Sequence, residues 1–236
     1  MKTIGLIGGM SWESTVSYYQ AINKGVNKQL GGLHSAKLVL YSVDFAEIER
    51  YQHQGEWGKA ATILINAASA IEKAGADAVL ICTNTMHKVA EKVEASITIP
   101  LIHIADSTAD VLTLNKVTKV GLLGTRFTME EDFYTQRLTA NYGIEVVTPT
   151  AEEREVVHHV IYEQLCKGVI CEASREAYIK IINSLSAQGA QAVILGCTEI
   201  ALLVNQSHTD MPLYDTTTIH ANAAVNFVLQ PRVLAP

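Results

Sequence analysis

GADAVLICTNT at residues 75–85 recurs as GAQAVILGCTE at residues 189–199. When the first glycines of the two stretches are aligned, Thr83 falls opposite Cys197. Each stretch is an apolar run that ends in small polar residues, which is typical of a buried strand that delivers its last residues to a ligand site. The alignment therefore predicts one catalytic position that occurs twice, once as a hydroxyl and once as a thiol.

The repeat extends beyond these stretches. GLIGGM at residues 5–10 recurs as GLLGTR at residues 121–126, and Pro100-Leu-Ile recurs as Pro212-Leu-Tyr, in the same order and with nearly constant separation. A unit of this length is far longer than a solenoid repeat. The sequence therefore predicts two duplicated halves.

Short apolar runs alternate with longer segments of helical period in both halves. The expected strands are Thr3–Ile7, Lys37–Ser42, Ala78–Ile81, Leu101–Ile104, Val120–Leu123, Glu145–Thr148, Ala192–Leu195 and Leu213–Tyr214. The expected helices are Ser14–Lys28, Gly58–Lys73, Thr85–Ala95, Ser107–Leu114, Thr128–Tyr142, Ala151–Gly168, Ser174–Gln188 and Ile219–Leu229. This alternation predicts an α/β fold with a mainly parallel sheet, flanked by helices, in each of two pseudo-symmetric domains. We place these domains at residues 1–112 and 113–236, an approximate boundary that leaves the C-terminal helix free to cross over.

The composition favours a compact soluble protein. Its 236 residues are 48% hydrophobic and 18% charged, as in ordinary globular α/β chains. The net charge of −6 and the dispersed basic residues argue against nucleic acid. The chain shows neither an export signal nor an apolar run of about 18 residues, so we expect a cytoplasmic protein that does not bind membranes. Its four cysteines are then expected to be reduced thiols.

Polar residues follow several of the predicted strands. Ligands of open α/β sheets bind beyond the carboxyl ends of strands, and the residues at such ends are Met10-Ser11, Thr83-Asn84-Thr85, Thr125 and Cys197-Thr198-Glu199. Cys197 also precedes a predicted helix start, where the helix dipole lowers the pKa of a thiol. We therefore expect Cys197 to act as a base or nucleophile, with a small buried core residue as the alternative.

Other polar motifs are less informative. The Gly8-Gly9 loop lacks both the dinucleotide and the P-loop patterns, so we expect backbone N–H groups that approach a small carboxylate, or else tight packing alone. His158 and His159 are adjacent on a predicted helix, where their side chains diverge by about 100° and do not share a metal. Cys166 and Cys171 have the spacing of no common motif and are expected to be ordinary thiols.

Three motifs together carry a resemblance to a known family. GGMS at residues 8–11, TNTMH at residues 83–87 and GCTE at residues 196–199 resemble the aspartate/glutamate racemase family, within the wider group that includes hydantoin racemases. The similarity covers essentially the whole chain. It implies an isomerase that racemises aspartate or glutamate, an active site between two α/β domains, and a homodimer. It also implies that neither metal nor pyridoxal phosphate is needed.

The resemblance assigns roles to individual residues. Family members use two cysteines on opposite faces of the substrate, of which Cys197 matches the second and Thr83 occupies the place of the first. Cys82 is one residue early, which turns its side chain to the opposite face of the strand. By the same resemblance, the positions that bind the amino-acid backbone or line its pocket are Met10, Ser11, Asn84, Thr85, Thr125 and Thr198.

Two further positions concern the side chain of the substrate. Lys167 lies in a segment that resembles a carboxylate-binding Lys-Gly site, with an exposed helix-end lysine as the alternative. Gln52, with Arg50 nearby, stands where some relatives place an arginine. Because glutamine does not make a bidentate charged contact, we expect neutral amino acids to compete with aspartate and glutamate.

The threonine leaves the reaction itself open. An unassisted alcohol is too weak an acid to be a standing base at neutral pH, so Thr83 is expected to donate a proton directly or through water, in a slow enzyme. The alternatives are a single-cysteine decarboxylase, a maleate-type isomerase and a non-catalytic amino-acid-binding protein. The tail from Gln230 to Pro236 is expected to be peripheral.

Overall fold

The computed structural model describes residues 1–231, so residues 232–236 of the predicted peripheral tail lie outside the described residues. Its strands are β1 (Thr3–Gly8), β2 (Lys37–Ser42), β3 (Ala78–Ile81), β4 (Lys119–Gly124), β5 (Glu145–Val147), β6 (Ala192–Gly196) and β7 (Leu213–Asp215). Its α-helices are α1 (Trp12–Leu30), α2 (Phe45–His53), α3 (Trp57–Lys73), α4 (Ala90–Glu94), α5 (Ile104–Leu114), α6 (Arg126–Glu130), α7 (Asp132–Tyr142), α8 (Ala151–Glu163), α9 (Glu172–Ala187), α10 (Ile200–Leu203) and α11 (Thr216–Leu229). Short 3-10 helices cover Thr85–Val89, Leu165–Lys167 and Gln206–His208. None of the helices within residues 1–231 has both the length and the apolar character that crossing a membrane requires.

The chain folds into two compact units. In the first unit, β2, β1 and β3 form a parallel sheet in that spatial order. Side chains on one face of this sheet, including Ile4 and Leu80, pack with α1 and α11, whereas Ile7 and Ile81 on the other face pack with α3. The strands β1 and β3 are therefore covered on both faces, which explains why they lack polar alternation.

The second unit repeats this topology. Its parallel sheet has the order β5-β4-β6-β7, so β4 and β6 correspond to β1 and β3. The counterpart of β7 in the first unit is only a single parallel bridge from Leu101 to Val79. The predicted α/β fold with two duplicated, mainly parallel sheets is confirmed.

Two repeated glycines have the same physical role in the two units. A Cβ atom on Gly5 of β1 would come within 2.1 Å of Ile71 Cγ2 on α3, and one on Gly121 of β4 would come within 2.8 Å of Leu185 Cδ1 on α9. Both separations are shorter than a normal non-bonded carbon–carbon contact, so a side chain at either glycine would displace the residue that packs against it. The repeat therefore preserves close packing of helix on strand.

The unit boundaries differ from the division at residue 112. The first unit consists of residues 1–104 and 220–231, and the second is Ala105–Ile219. Helix α5 belongs mostly to the second unit because Asp106 makes a bidentate ion pair with Arg137 of α7, at 2.6 and 2.7 Å. Helix α11 returns to the first unit, where the His220 ring accepts a hydrogen bond from the Tyr18 hydroxyl at 2.8 Å.

Several predicted elements differ from the structure. The expected strand Leu101–Ile104 is reduced to the bridge at Leu101, because α5 already begins at Ile104. The expected helix Thr128–Tyr142 is interrupted at Glu131, whose extended backbone ends α6 and begins α7. Helix α2 had no predicted counterpart; it begins after Asp44, whose side chain caps it by accepting from the Ala46 N–H.

Candidate active site

Two loops meet at the carboxyl edge of the first sheet. Ile7 of β1 pairs with Ile81 of β3, so the loop that follows β1 lies beside the loop that follows β3. Gly9 has a φ of 91°, and a Cβ atom there would come within 2.3 Å of the Val43 carbonyl oxygen. Its N–H group donates to Thr15 Oγ1 at 2.8 Å. Packing and backbone conformation therefore explain Gly9, and its N–H is already used within the protein.

Met10 and Ser11 connect this glycine to α1. Both residues are buried, and Met10 contributes to the apolar core. Ser11 caps the helix, because its Oγ accepts from the Ser14 N–H at 3.3 Å. The structure thus places both predicted residues at the strand-end edge of the first unit.

Thr83 lies at the same edge, two residues after the end of β3, and is half-buried. Its carbonyl oxygen accepts a hydrogen bond from His87 Nδ1 at 2.8 Å. Within residues 1–231, no protein group hydrogen-bonds the Thr83 hydroxyl. Asn84 and Thr85, which follow it, are both buried. The Thr83 hydroxyl is therefore available to a ligand at this loop.

Gln52 on α2 approaches the same loop from the side. Its Nε2 lies 3.1 Å from the Met86 sulfur, next to Thr85. The side chain is buried, yet its Oε1 has no hydrogen-bond partner in the described chain. A buried carbonyl oxygen without a donor is destabilising by about 1–3 kcal/mol, so a ligand that satisfies it gains affinity.

The second unit gathers the remaining polar residues at the equivalent edge. Gly124 pairs with Gly196, so Thr125 after β4 lies beside Cys197 after β6. Thr125 is buried and caps α6 by accepting from the Thr128 N–H. The hydroxyl of Thr198 accepts from Thr217 Oγ1 at 3.0 Å, which anchors the residue after Cys197 to the start of α11.

The Cys197 thiol has an acidic partner. Its Sγ donates to Glu199 Oε2 at 2.9 Å, and Glu199 is buried. Burial raises the pKa of the Cys197 thiol well above its usual value, and the charge of Glu199 raises it further. The expectation that a helix N-terminus lowers this pKa is therefore wrong. Helix α10 spans only four residues, and its dipole is outweighed by burial and by the carboxylate two residues away.

Lys167 lies elsewhere on the second unit. Its Nζ is 2.6 Å from Glu163 Oε2, and more than half of each side chain is exposed to solvent. Its short 3-10 helix packs against α10, which follows the Cys197 loop. The 3-10 helix is thus connected to that loop through packing, while the charge of Lys167 is held by an exposed ion pair.

The four cysteines are free thiols, as expected. Cys82 is fully buried against the α1 face of the first sheet, and burial raises its pKa. This environment agrees with the expected change of face between Cys82 and Thr83. Cys166 packs against the same apolar cluster as Cys197.

Three polar residues of these edges were given no role by sequence reasoning. They are His87, Glu199 and Thr217. The first two lie in the TNTMH and GCTE motifs, so their presence was visible in the sequence. A hydrogen bond between residues only two or four positions apart at a strand end leaves no periodic signal. Thr217 is distant in sequence from its partner Thr198 and gives no signal of its own.

Comparisons with known proteins identify relatives over nearly the whole chain. Residues 7–224 match the family model described as Asp/Glu/Hydantoin racemase. The structure of a candidate Asp/Glu racemase from Yersinia pestis is 56% identical, with a TM-score of 0.92 over 98% of this chain and 100% of that one. An aspartate racemase homologue from Pyrococcus horikoshii OT3 is 34% identical, with a TM-score of 0.84 over the same shares. The broad specificity amino-acid racemase RacX of Bacillus subtilis (strain 168) is 22% identical over 96% of this chain and 98% of that protein.

Proposed function

The chain belongs to the Asp/Glu/Hydantoin racemase family, and from that premise we propose that this isomerase interconverts L- and D-amino acids, including aspartate and glutamate, without a cofactor. Cys197 and Thr83 are the acid–base pair. By analogy with the family, Cys197 removes the α-proton of the L-enantiomer, and Thr83 returns a proton to the opposite face of the planar carbanion.

The observation that carries this proposal is the hydrogen bond between the Cys197 thiol and Glu199, 2.9 Å long. A thiol with a raised pKa is a poor standing base, but Glu199 can accept its proton and leave a thiolate beside a carboxylic acid. The thiolate then takes the α-proton and becomes a thiol again, and the carboxylate is restored when the Glu199 carboxylic acid releases its proton to solvent. Glu199 therefore supplies the activation that a helix dipole does not.

Thr83 provides the second proton. Its hydroxyl has no hydrogen-bond partner among residues 1–231, which leaves it available to the substrate or to a bridging water. An alcohol donates reluctantly because its conjugate base is strong, so this step requires a water that re-protonates the hydroxyl as it donates. The proposal therefore makes proton delivery by Thr83 the slow step.

Gln52 and Lys167 support breadth towards the substrate side chain. The buried Oε1 of Gln52 has no donor, and rotation of the amide presents Nε2 instead, so one residue suits both neutral polar and acidic side chains. Lys167 can exchange Glu163 for a substrate carboxylate at small cost, since exposed ion pairs contribute about 1 kcal/mol or less. Acidic substrates are therefore bound without exclusion of neutral ones.

The test is α-proton exchange in D2O across a panel of L- and D-amino acids. We expect loss of the α-proton signal together with appearance of the other enantiomer on chiral chromatography. Cys197→Ala should abolish both signals. The matched control is Cys171→Ala, which removes a partly buried thiol at the start of α9 and should retain both.

The same experiment separates the alternatives. A decarboxylase releases carbon dioxide, a maleate-type isomerase leaves amino acids unlabelled, and a binding protein gives saturable binding without label. Failure of every amino acid in the panel to exchange would contradict the racemase proposal. The homodimer and a cytoplasmic location belong to the same proposal, and light scattering at micromolar protein tests the former.

A further inference from the structure

His87 is a buried residue four positions after Thr83. Both of its ring nitrogens form hydrogen bonds with backbone groups. Its Nδ1 lies 2.8 Å from the Thr83 carbonyl oxygen, and its Nε2 lies 3.2 Å from the Ile104 nitrogen. A carbonyl only accepts and a backbone N–H only donates. Both bonds therefore exist together only in the neutral imidazole with its proton on Nδ1.

The ring of His87 is also fixed by packing. The His103 ring lies across it with a centroid separation of 4.5 Å, and the His220 ring lies 5.8 Å away. All three histidines are buried in the first unit. His220 is itself held by the Tyr18 hydroxyl and by the Ile102 carbonyl. A ring with two hydrogen bonds and two packed neighbours has little freedom to reorient.

The hydrogen bond from His87 to the Thr83 carbonyl affects where the Thr83 hydroxyl lies. Since no protein group within residues 1–231 hydrogen-bonds that hydroxyl, its position depends on the Thr83 backbone and on its own rotamer. Misplacement of a reacting group by about 1 Å can reduce a rate by roughly 100-fold. Proton transfer from a weak acid is already slow, so poor alignment of the Thr83 hydroxyl would slow it further.

We propose that His87 is a positioning residue for proton delivery, and that its Nδ1–H holds the Thr83 carbonyl so that the Thr83 hydroxyl is aimed at the α-carbon. This inference rests on the proposed function. It assigns His87 no contact with substrate. It requires that His87 affect the step of Thr83 and leave the step of Cys197 unchanged.

Two variants divide the functions of the imidazole. In His87→Asn, the side-chain amide stands near the position of Nδ1 and can still donate to the Thr83 carbonyl. In His87→Gln, the amide stands near the position of Nε2, where it can accept from the Ile104 N–H but leaves the Thr83 carbonyl without its donor. The inference therefore predicts a defect in the Gln variant that the Asn variant largely avoids.

The readout is the ratio of exchange with retention to inversion, measured from an L-amino acid in D2O. When Thr83 fails to deliver, the carbanion regains a solvent-derived deuteron from Cys197 and returns to the labelled L-enantiomer. His87→Gln should raise this ratio by about tenfold or more, and His87→Asn should keep it within about twofold of the wild type. Partial unfolding lowers both rates equally and leaves the ratio unchanged.

Two controls accompany these variants. Tyr18→Phe removes the hydroxyl that His220 accepts from and should lower the Tm without a change in the ratio. His53→Asn alters an exposed histidine paired with Glu49 and should change neither quantity.

The outcomes are distinguishable. Equal losses of exchange and inversion in His87→Gln, or an Asn variant no better than the Gln variant, would overturn the positioning role while the racemase proposal stands. A wild-type protein that neither exchanges nor inverts any amino acid would overturn both.

Discussion

His220 should make the folded protein lose stability as the pH falls from 7 to 5. The ring is fully buried in the first unit, accepts from the Tyr18 hydroxyl at 2.8 Å and lies 2.7 Å from the Ile102 carbonyl through Nε2. Burial lowers its pKa from 6.5 to about 4, because a charged imidazolium would lose its hydration. Between these two pKa values, His220 is protonated in the unfolded chain but neutral in the folded protein.

The size of this effect follows from the two pKa values. As the pH falls through 6.5, the unfolded state gains a proton and becomes more favourable, and the loss of stability continues until the folded state is protonated near pH 4. The full difference of about 2.5 pKa units corresponds to roughly 3 kcal/mol in the free energy of unfolding. About 2 kcal/mol of it is lost by pH 5, where most carboxylates are still ionised.

Urea unfolding of the wild type and of His220→Gln at pH 7, 6 and 5 measures this contribution. Glutamine retains a donor for the Ile102 carbonyl but does not titrate, so the variant should be less stable at pH 7 and should lose about 2 kcal/mol less on acidification. For a chain of this length, the difference corresponds to roughly 4–8 °C in Tm. His87 and His103 are present in both proteins and cancel. Parallel pH profiles for the two proteins would refute the argument.

Three further changes test the candidate site. Thr83→Cys should raise kcat in both directions by at least about tenfold, because a thiol is the stronger acid, and chiral chromatography from each enantiomer measures it. Glu199→Gln should lower the pKa of the Cys197 thiol, because the carboxylate helps to raise it. Iodoacetamide labelling of Cys197, measured by peptide mass spectrometry, should therefore begin at lower pH. The same variant should reduce kcat about 100-fold, because the thiol loses its proton acceptor. Gln52→Met removes a buried acceptor that has no donor, so it should raise the free energy of unfolding by about 1 kcal/mol in urea titrations. It should also lower kcat/KM for polar substrates more than for alanine.

The duplicated framework could be predicted from the sequence because the repeated residues are needed for local turn conformations and for contacts at the starts of strands. Gly75 and Gly189 end their helices with φ of 88° and 89°, a conformation that side chains resist. Two residues later, Asp77 accepts from the Thr3 N–H and Gln191 accepts from the Lys119 N–H, so each side chain anchors the start of the adjacent central strand. Such requirements leave a residue pattern in the sequence.

The electrostatics of the site could not be predicted in this way. GCTE indicates a strand end followed by a helix, and the dipole of a full helix would have lowered the pKa of Cys197. The turn instead brings the Glu199 carboxylate onto the thiol before a helix of four residues begins. The break at Glu131 is similar, because no glycine or proline marks it and its extended backbone becomes visible only in the structure. Sequence periodicity reports which face is buried, whereas these features depend on individual dihedral angles.

The unequal pair of Cys197 and Thr83 constrains how label should enter each enantiomer. Two enantiomers have equal free energy in achiral solvent, so kcat/KM must be the same in both directions whatever residue occupies position 83. The asymmetry can appear only in how the carbanion partitions between its two proton donors. From the L-enantiomer, Cys197 both removes and returns protons easily, so exchange should exceed inversion. From the D-enantiomer, Thr83 must act first and Cys197 then delivers to the other face, so nearly every exchange should accompany an inversion. Equal ratios of exchange to inversion from the two enantiomers would mean that the threonine is no weaker than the thiol in its proton transfer.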